Sequence, residues 1–348
     1  MLFRRAKPVV GLDIGSSAVK AVELKSTGSG YEVAAFGSEP IPLDCIVDGA
    51  IVDGTAVAES IQQLFERGGF KSRDVVASLS GSAVIVKKIS LPLMSEAELS
   101  ESIYWEAEQY IPFDIQDVSL DYQIVEGANS ESHDGSMDVL LVAAKKEKIA
   151  DYTGVIAQAG RSPVVVDVDA FALQNAYEAN YGTAAGAVVV LLNAGASAIN
   201  INIISGEQSL FTRDVSLGGN SYTEALQREL DLPFESADRL KMGEVTDGLG
   251  FDDVRPVLRA VTENVVLEIQ KTFNFFKATA ADRVDRVMVT GGTSRVEGFV
   301  DLLGERLEVP VGFLDPFRRI EAGSDEAATF ALTAAVAVGL AMRRPGDR

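Results

Sequence analysis

Residue types that organise many small sites are almost missing from this chain. Among 348 residues there is one cysteine, Cys45, and one histidine, His133. A single cysteine excludes an internal disulfide and suits a reducing compartment. One of each leaves no ligand set for a structural zinc ion. His133 sits in EGANSESHDGSM, whose polarity reads as a surface loop. Basic charge is also scarce: 31 Lys and Arg stand against 51 Asp and Glu, a net charge of -20, and the basic runs are short. That balance argues against a nucleic-acid groove and, outside a local basic patch, against broad adhesion to anionic lipid. A positively charged partner fits it, as does simple solubility. Long apolar runs are missing too. The most uniformly apolar stretch, ATFALTAAVAVGLAM at 328–342, has fifteen residues, short of the roughly 20 that span a bilayer. Its alanines point to a closely packed core helix. The start, MLFRRAKP, leads into a segment interrupted by Asp13 with no cleavage pattern. Neither a signal peptide nor a membrane anchor is expected.

What is present is a soluble composition, 47% hydrophobic and 24% charged, in a chain long enough for two or three domains. VVGLDIGSSAVKAVEL, residues 9–24, reads as strand, tight turn and strand, and YEVAAFGSEP as a third strand. In TAVAESIQQLFERGGF, Val57, Ile61, Leu64 and Phe65 share a helical face, and DVVASLSG is a compact apolar strand. Together they make an α/β unit. The composition changes near residue 86. VIVKKISLPL is strand-like, and the next segment carries Leu99, Ile103, Ala107 and Tyr110 on a helical face before Pro112. SLDYQIVEG and MDVLLVAAKK read as a strand pair, and KIADYTGVIAQAG as a helix. The expectation is a small α+β domain over 86–160 inserted into a first subdomain of 1–85 and 161–186. At 187 the opening pattern returns as AVVVLLNAGASAININ and EQSLFTRDVSL, a repeat of fold rather than of sequence. The second half is expected over 187–348. It includes a helical lobe at about 221–285, where Val261, Val265, Ile269, Phe273 and Phe276 keep helical spacing.

Three Gly-rich turns end apolar strands: DIGSS, NAGAS and TGGTSR. One such turn is weak, because glycine is common in hairpins. Two in corresponding positions of two halves suggest loops facing each other across a cleft. There, small residues let backbone amides reach an anion and serine hydroxyls add donors. Asp13 cannot attract phosphate itself, but it can hold a hydrated divalent cation against phosphate oxygens. The spacing matches neither GxxxxGK[ST] nor GxGxxG.

These segments resemble the actin, Hsp70 and FtsA superfamily of nucleotide-binding proteins, whose fold is a duplicated, ribonuclease H-like α/β architecture. GLDIGSSAVKAVEL is similar to its first phosphate loop, LLNAGASAINI to its second, SLGGNSYTEAL to its Gly-Gly segment and VTGGTSRVEGF to its adenosine motif. The resemblance implies ATP with magnesium. Asp13 would stand on the metal side, acting through water, and Gly15, Ser16, Ser17 and Lys20 at the first loop. Asn193, Gly195, Ala196 and Ser197 would form the second loop. Gly218 and Gly219 would contact the nucleotide from the Gly-Gly segment, and Gly291, Gly292, Ser294 and Arg295 would lie around the nucleoside, with Lys241 near the base or ribose. More narrowly, YWEAEQYIPFDIQDVSLDYQIV, MDVLLVAAKKE and VVDVDAFALQN resemble the PilM family of type IV pilus assembly proteins.

That family resemblance implies a cytoplasmic adaptor, peripheral at the inner membrane through a partner. It would bind the short cytoplasmic N-terminal peptide of PilN in a groove between the first subdomain and the inserted domain, and link the inner-membrane platform to the pilus motor. The dense stretch Tyr104, Trp105, Tyr110, Ile111, Pro112 and Phe113 reads as domain core or as part of that groove. Nucleotide binding is better supported than turnover. The second loop of the superfamily normally starts with aspartate, where this chain has the uncharged Asn193, and either Asp167 or Asp169 could position a water. Competing readings are a polymerising cell-division ATPase like FtsA, a sugar kinase of the same fold, and the cytoplasmic part of a type II secretion platform. No sugar site stands out, and the close at MRRPGDR resembles no amphipathic membrane tail.

Overall fold

The computed structural model describes residues 7–28, 30–125, 135–183, 186–280 and 283–347. His133 and the first six residues lie outside them. The chain opens with an antiparallel meander, β1 (Val10–Ile14), β2 (Ala18–Ser26) and β3 (Tyr31–Pro40). A short hairpin of β4 (Ile46–Val47) and β5 (Ala50–Ile51) leads into α1 (Gly54–Gly68). Asp53 caps α1 by accepting from the Ala56 amide, and Gly69 closes it in the left-handed conformation. Next, β6 (Asp74–Leu79) lies parallel to β1.

An inserted unit follows: β7 (Val84–Pro92), α2 (Glu96–Glu108), β8 (Val118–Ile124) and β9 (Ser136–Lys145), with sheet order β7-β9-β8. A Ser95–Glu98 capping box starts α2, and Leu99, Ile103 and Ala107 bury one face of it on Val139, Leu141 and Ala143. The aromatic stretch divides here. Ile111 is core, Tyr110 and Phe113 pack half-buried against it, and Tyr104 and Trp105 are 52% and 75% exposed.

The chain returns through α3 (Lys146–Gln158), β10 (Ser162–Val168) and α4 (Asp169–Tyr181), and β10 completes a five-stranded sheet, β10-β6-β1-β2-β3. The second half repeats this topology. β11 (Val188–Ala194), β12 (Ile199–Ser205) and β13 (Gln208–Val215) form the meander. Helices α5 (Gly219–Leu230), α6 (Phe234–Lys241) and α7 (Phe251–Ala280) follow, then β14 (Arg286–Thr290), α8 (Phe299–Leu307) and β15 (Val311–Phe313). Its sheet order is β13-β12-β11-β14-β15, and α9 (Asp325–Met342) ends the fold.

Two helices pack away from the units in which the sequence places them. α3, expected with the inserted domain, buries Tyr152, Val155 and Ile156 with Val57 and Ile61 of α1 beneath the first sheet. α9, expected with the second half, packs on β1, β2 and α4. The reason is the same for both: an apolar helix surface goes to the nearest uncovered sheet face. Val10 and Leu12 of β1 face α1 and α3, while Val22 and Leu24 of β2 face α4 and α9. Val189 and Leu191 of β11 reach the same α4–α9 layer from the other side, and Val190 and Leu192 face the helices of the second half. Both sheets are thus covered twice, which explains their continuous apolar strands. Among the described residues α9 is the one helix long and apolar enough to cross a membrane, and more than half of it is buried in this shared layer.

The packing of α9 is backbone on backbone. A Cβ added at Gly11 would lie 2.1 Å from the Ala337 carbonyl oxygen, and one at Gly339 would lie 1.7 Å from that of Ala172 in α4. Helix propensity alone favours alanine over glycine by about 1 kcal/mol. At Gly339 the collision outweighs it, so Gly339→Ala is expected to destabilise by roughly 3 kcal/mol and to lower the thermal midpoint by several degrees. Gly154 in α3 has nothing within 4 Å of its added Cβ, so Gly154→Ala is expected to hold or raise it. Thermal unfolding of the two variants beside wild type checks the opposite signs.

Candidate functional site

The two meanders end in matching turns. The Gly15 amide donates to the Ala18 carbonyl at 3.2 Å, and the Gly195 amide to the Ala198 carbonyl at 2.9 Å. The penultimate residue of the first strand is Asp13 in one half and Asn193 in the other, and they face Lys20 and Asn200 across their ladders. Lys20 Nζ donates to Asp13 Oδ2 at 2.9 Å, whereas Asn193 Nδ2 donates to Asn200 Oδ1 at 3.0 Å. One architecture therefore carries an ion pair in the first half and a neutral amide pair in the second. A Cβ at Gly15 would meet Lys20 Nζ at 3.3 Å, so the ammonium lies directly beside the first turn. Ser16 and Ser17 complete that turn, half-buried and exposed respectively.

In the second half the expected glycine segments converge. The Gly195 carbonyl accepts from the Gly219 amide at 3.1 Å and from Thr293 Oγ1 at 2.6 Å, and the Ala196 carbonyl accepts from the Asn220 amide at 2.8 Å. A Cβ at Gly218 would lie 2.5 Å from the Ala196 carbonyl oxygen, and one at Gly291 would lie 2.3 Å from that of Ala194. Gly291 also has a φ of 93°, a left-handed backbone that glycine adopts without cost. Ser294 is buried, and its hydroxyl donates to the Gly291 carbonyl at 2.6 Å, which shapes the turn. Ser197 and Gly292 are partly exposed beside these contacts, and Arg295 projects to solvent. Lys241 is buried and directs its ammonium to the Gly219 carbonyl, Thr223 Oγ1 and Asp238, so it braces the Gly-Gly segment from behind.

Asp167 and Asp169 separate cleanly. Asp167 is buried in an ion pair with Arg343 Nε at 2.9 Å, just beyond α9, and its other oxygen accepts from the Val168 amide. Asp169, the first residue of α4, accepts from Ser78 Oγ at 2.6 Å. Burial, then the charge of Asp13, pushes its pKa up to about 6, with Asp214 adding to the rise. Asp169 is thus the carboxylate that shares a field with Asp13.

Six further residues gather here without having stood out in the sequence. Ser78 lies in β6 and Ser80 and Gly81 follow it, Asn200 and Asp214 lie on β12 and β13, and Lys148 lies on α3 with its ammonium 2.6 Å from the Ser80 carbonyl. The signal for the first three was present: SLSGS ends the fourth strand of its half where TGGTS ends that of the other. Closely packed glycine turns, an ammonium beside one turn and an anchored carboxylate below it form a donor set suited to a polyanion and its hydrated metal ion.

The family model described as type IV pilus assembly protein PilM matches residues 11–345 of the chain. Among solved structures, a PilM-PilN type IV pilus biogenesis complex is similar at 29% identity and a TM-score of 0.87, over 98% of this chain and 100% of that one. The ethanolamine utilization protein EutJ from Carboxydothermus hydrogenoformans is similar at 16% identity and a TM-score of 0.57, over 98% and 93% of the two chains. MreB5 of Spiroplasma citri bound to ADP is similar at 14% identity and 0.52, over 96% and 94%. The last two show the fold, which is the duplicated actin-like α/β architecture.

Asp169 gives the site a pH signature. Its pKa of about 6 in the folded protein exceeds the roughly 3.9 of an unfolded chain, so folding binds its proton more tightly. The group therefore favours the folded state most at low pH, and that contribution is lost as pH rises from about 4 to about 6. Asp169→Asn keeps an acceptor for Ser78 and removes the titration. The wild-type thermal midpoint is expected to fall relative to that of the variant across this window and to run parallel above it.

Proposed function

This chain belongs to the PilM family of type IV pilus assembly proteins, and we propose that it is an ATP-binding adaptor of the pilus machine that holds the cytoplasmic N-terminal segment of PilN. The observation that carries the nucleotide part is the pairing of the 15–17 and 195–197 turns, each closed by the same hydrogen bond, with Asp13 and Lys20 beneath the first. The phosphates lie between residues 13–20 and 193–197. Asp13 would hold a magnesium ion through water, Gly218–Gly219 and Gly291–Gly292 would pack against the nucleotide near Arg295, and the ion would supply positive charge against the phosphates. Asn193 offers an amide where a second carboxylate would stabilise the ion further, which favours holding nucleotide over turning it over.

The peptide part rests on family membership and on the PilM-PilN complex as a similar structure. A recess of about 360 Å³ at the junction of the inserted sheet and α3 is lined by Phe113, Asp114, Asp117, Lys145, Lys146 and Glu147. An aromatic ring with charges of both signs suits a short peptide. The adaptor is recruited to the cytoplasmic face of the inner membrane by that partner, and through it links the platform to the motor.

Titrating the PilN N-terminal peptide into the full chain, with and without ATP and magnesium, tests this reading. Binding in both conditions, with affinities differing on the order of tenfold, is expected. Absence of peptide binding sinks the adaptor, and equal affinities sink nucleotide control. Asp13→Ala is expected to weaken ATP binding about tenfold in magnesium and little in EDTA, as calorimetry would read.

A further inference from the structure

One peptide group joins the first unit to the second and stands at the entry to the inserted one. The carbonyl of Ser80 accepts from Lys148 Nζ at 2.6 Å, and the amide of Gly81, the other end of the same peptide plane, donates to Asp214 Oδ2. Lys148 lies in the first turn of α3, which continues directly from β9, the central strand of the inserted sheet. Asp214 lies on β13, the edge strand of the second sheet. The peptide itself stands between β6 and β7, where the Gly81 carbonyl accepts from the Val84 amide at 3.1 Å as the chain enters the inserted sheet. A cation on the carbonyl and an anion on the N–H both reinforce the peptide dipole, so each bond is charge-assisted and strengthens the other.

The chain of contacts continues to the second turn. Asp214 Oδ1 accepts from Asn200 Nδ2 at 2.8 Å, and Asn200 Oδ1 accepts from Asn193 Nδ2 at 3.0 Å. The equivalent place in the first half, Ser38 opposite Lys20, carries no charge, so this extension belongs to the second half alone. Every link has a defined donor and acceptor. A ligand that draws the Asn193 amide away leaves Asn200 Oδ1 without its donor, and the rearrangement passes to Asp214 and then to the Gly81 amide. Burial, opposed by the charges of Asp169 and Asp214, holds the Lys148 pKa below the usual lysine value.

The geometry points to a relay, Asn193–Asn200–Asp214–peptide 80–81–Lys148, by which occupancy of the second glycine turn is transmitted to β7 and α3 and hence to the inserted unit. It rests on the nucleotide-binding reading and adds the route by which binding is felt elsewhere. Two sites are coupled only where a shared element is biased by both, and here that element is a single peptide plane.

Hydrogen exchange of the full chain, with and without saturating AMPPNP and magnesium, tests the relay in wild type, Asp214→Ala, Lys148→Met and Lys148→Arg. Nucleotide is expected to slow exchange in β7 and the first turns of α3 several-fold in wild type. Lys148→Arg should keep most of that effect, and Asp214→Ala and Lys148→Met should lose it. Should Asp214→Ala not fold, the Lys148→Met and Lys148→Arg pair decides alone. Nucleotide binding with no change in β7 and α3, or with the same change in the broken variants, overturns the relay while leaving the nucleotide reading in place. No nucleotide binding to wild type overturns both.

Discussion

The close approach of α9 to β1 and α4 is the constraint on which the rest depends. Two sheets share one layer of two helices, and that layer is thin enough only because helix backbone meets strand backbone at Gly11 and helix backbone at Gly339. Larger side chains at these crossings would force the sheets apart. The glycine turns at the ends of β1 and β11 would then separate, and Asp169 at the start of α4 would leave the field of Asp13 and Asp214. The alanines of α9 therefore serve the cleft as much as the core.

Duplication supplies the frame, and divergence supplies the chemistry. Each half offers the same strand pair, the same turn and the same cross-strand position below it. In the first half that position holds Asp13 and Lys20, a charged pair beside a turn, which suits a metal-bound phosphate. In the second it holds Asn193 and Asn200, a neutral pair whose hydrogen bonds run on to Asp214 and out of the cleft. On the proposed relay, one half would hold charge and the other would pass on a change in hydrogen bonding. That asymmetry agrees with an adaptor that binds nucleotide in order to report it.

Much of the architecture was legible because it is local. Val57, Ile61, Leu64 and Phe65 mark α1, the repeated strand–turn–strand marks both meanders, and DIGSS, NAGAS and TGGTSR mark their own turns. Helix destinations were not legible. Nothing in KIADYTGVIAQAG distinguishes a helix lying under the inserted sheet from one lying under the first, because periodicity gives a face and not its partner. The 328–342 run showed that its helix is buried, and the crossing at Gly11 decides where. Asp214 and Lys148 escaped notice for a related reason. Each is one charge on an ordinary amphipathic element, made special by a peptide group more than 60 residues away in sequence from Lys148 and more than 130 from Asp214.

The central claim is that the two turns grip the same nucleotide, and a crystal structure of the full chain grown with AMPPNP and magnesium tests it most directly. The account predicts triphosphate density between residues 13–20 and 193–197, a metal ion joined to Asp13 through water, and the nucleoside against Gly218–Gly219 and Gly291–Gly292. An empty cleft with the two halves closed on each other, or nucleotide bound away from both turns, would contradict it.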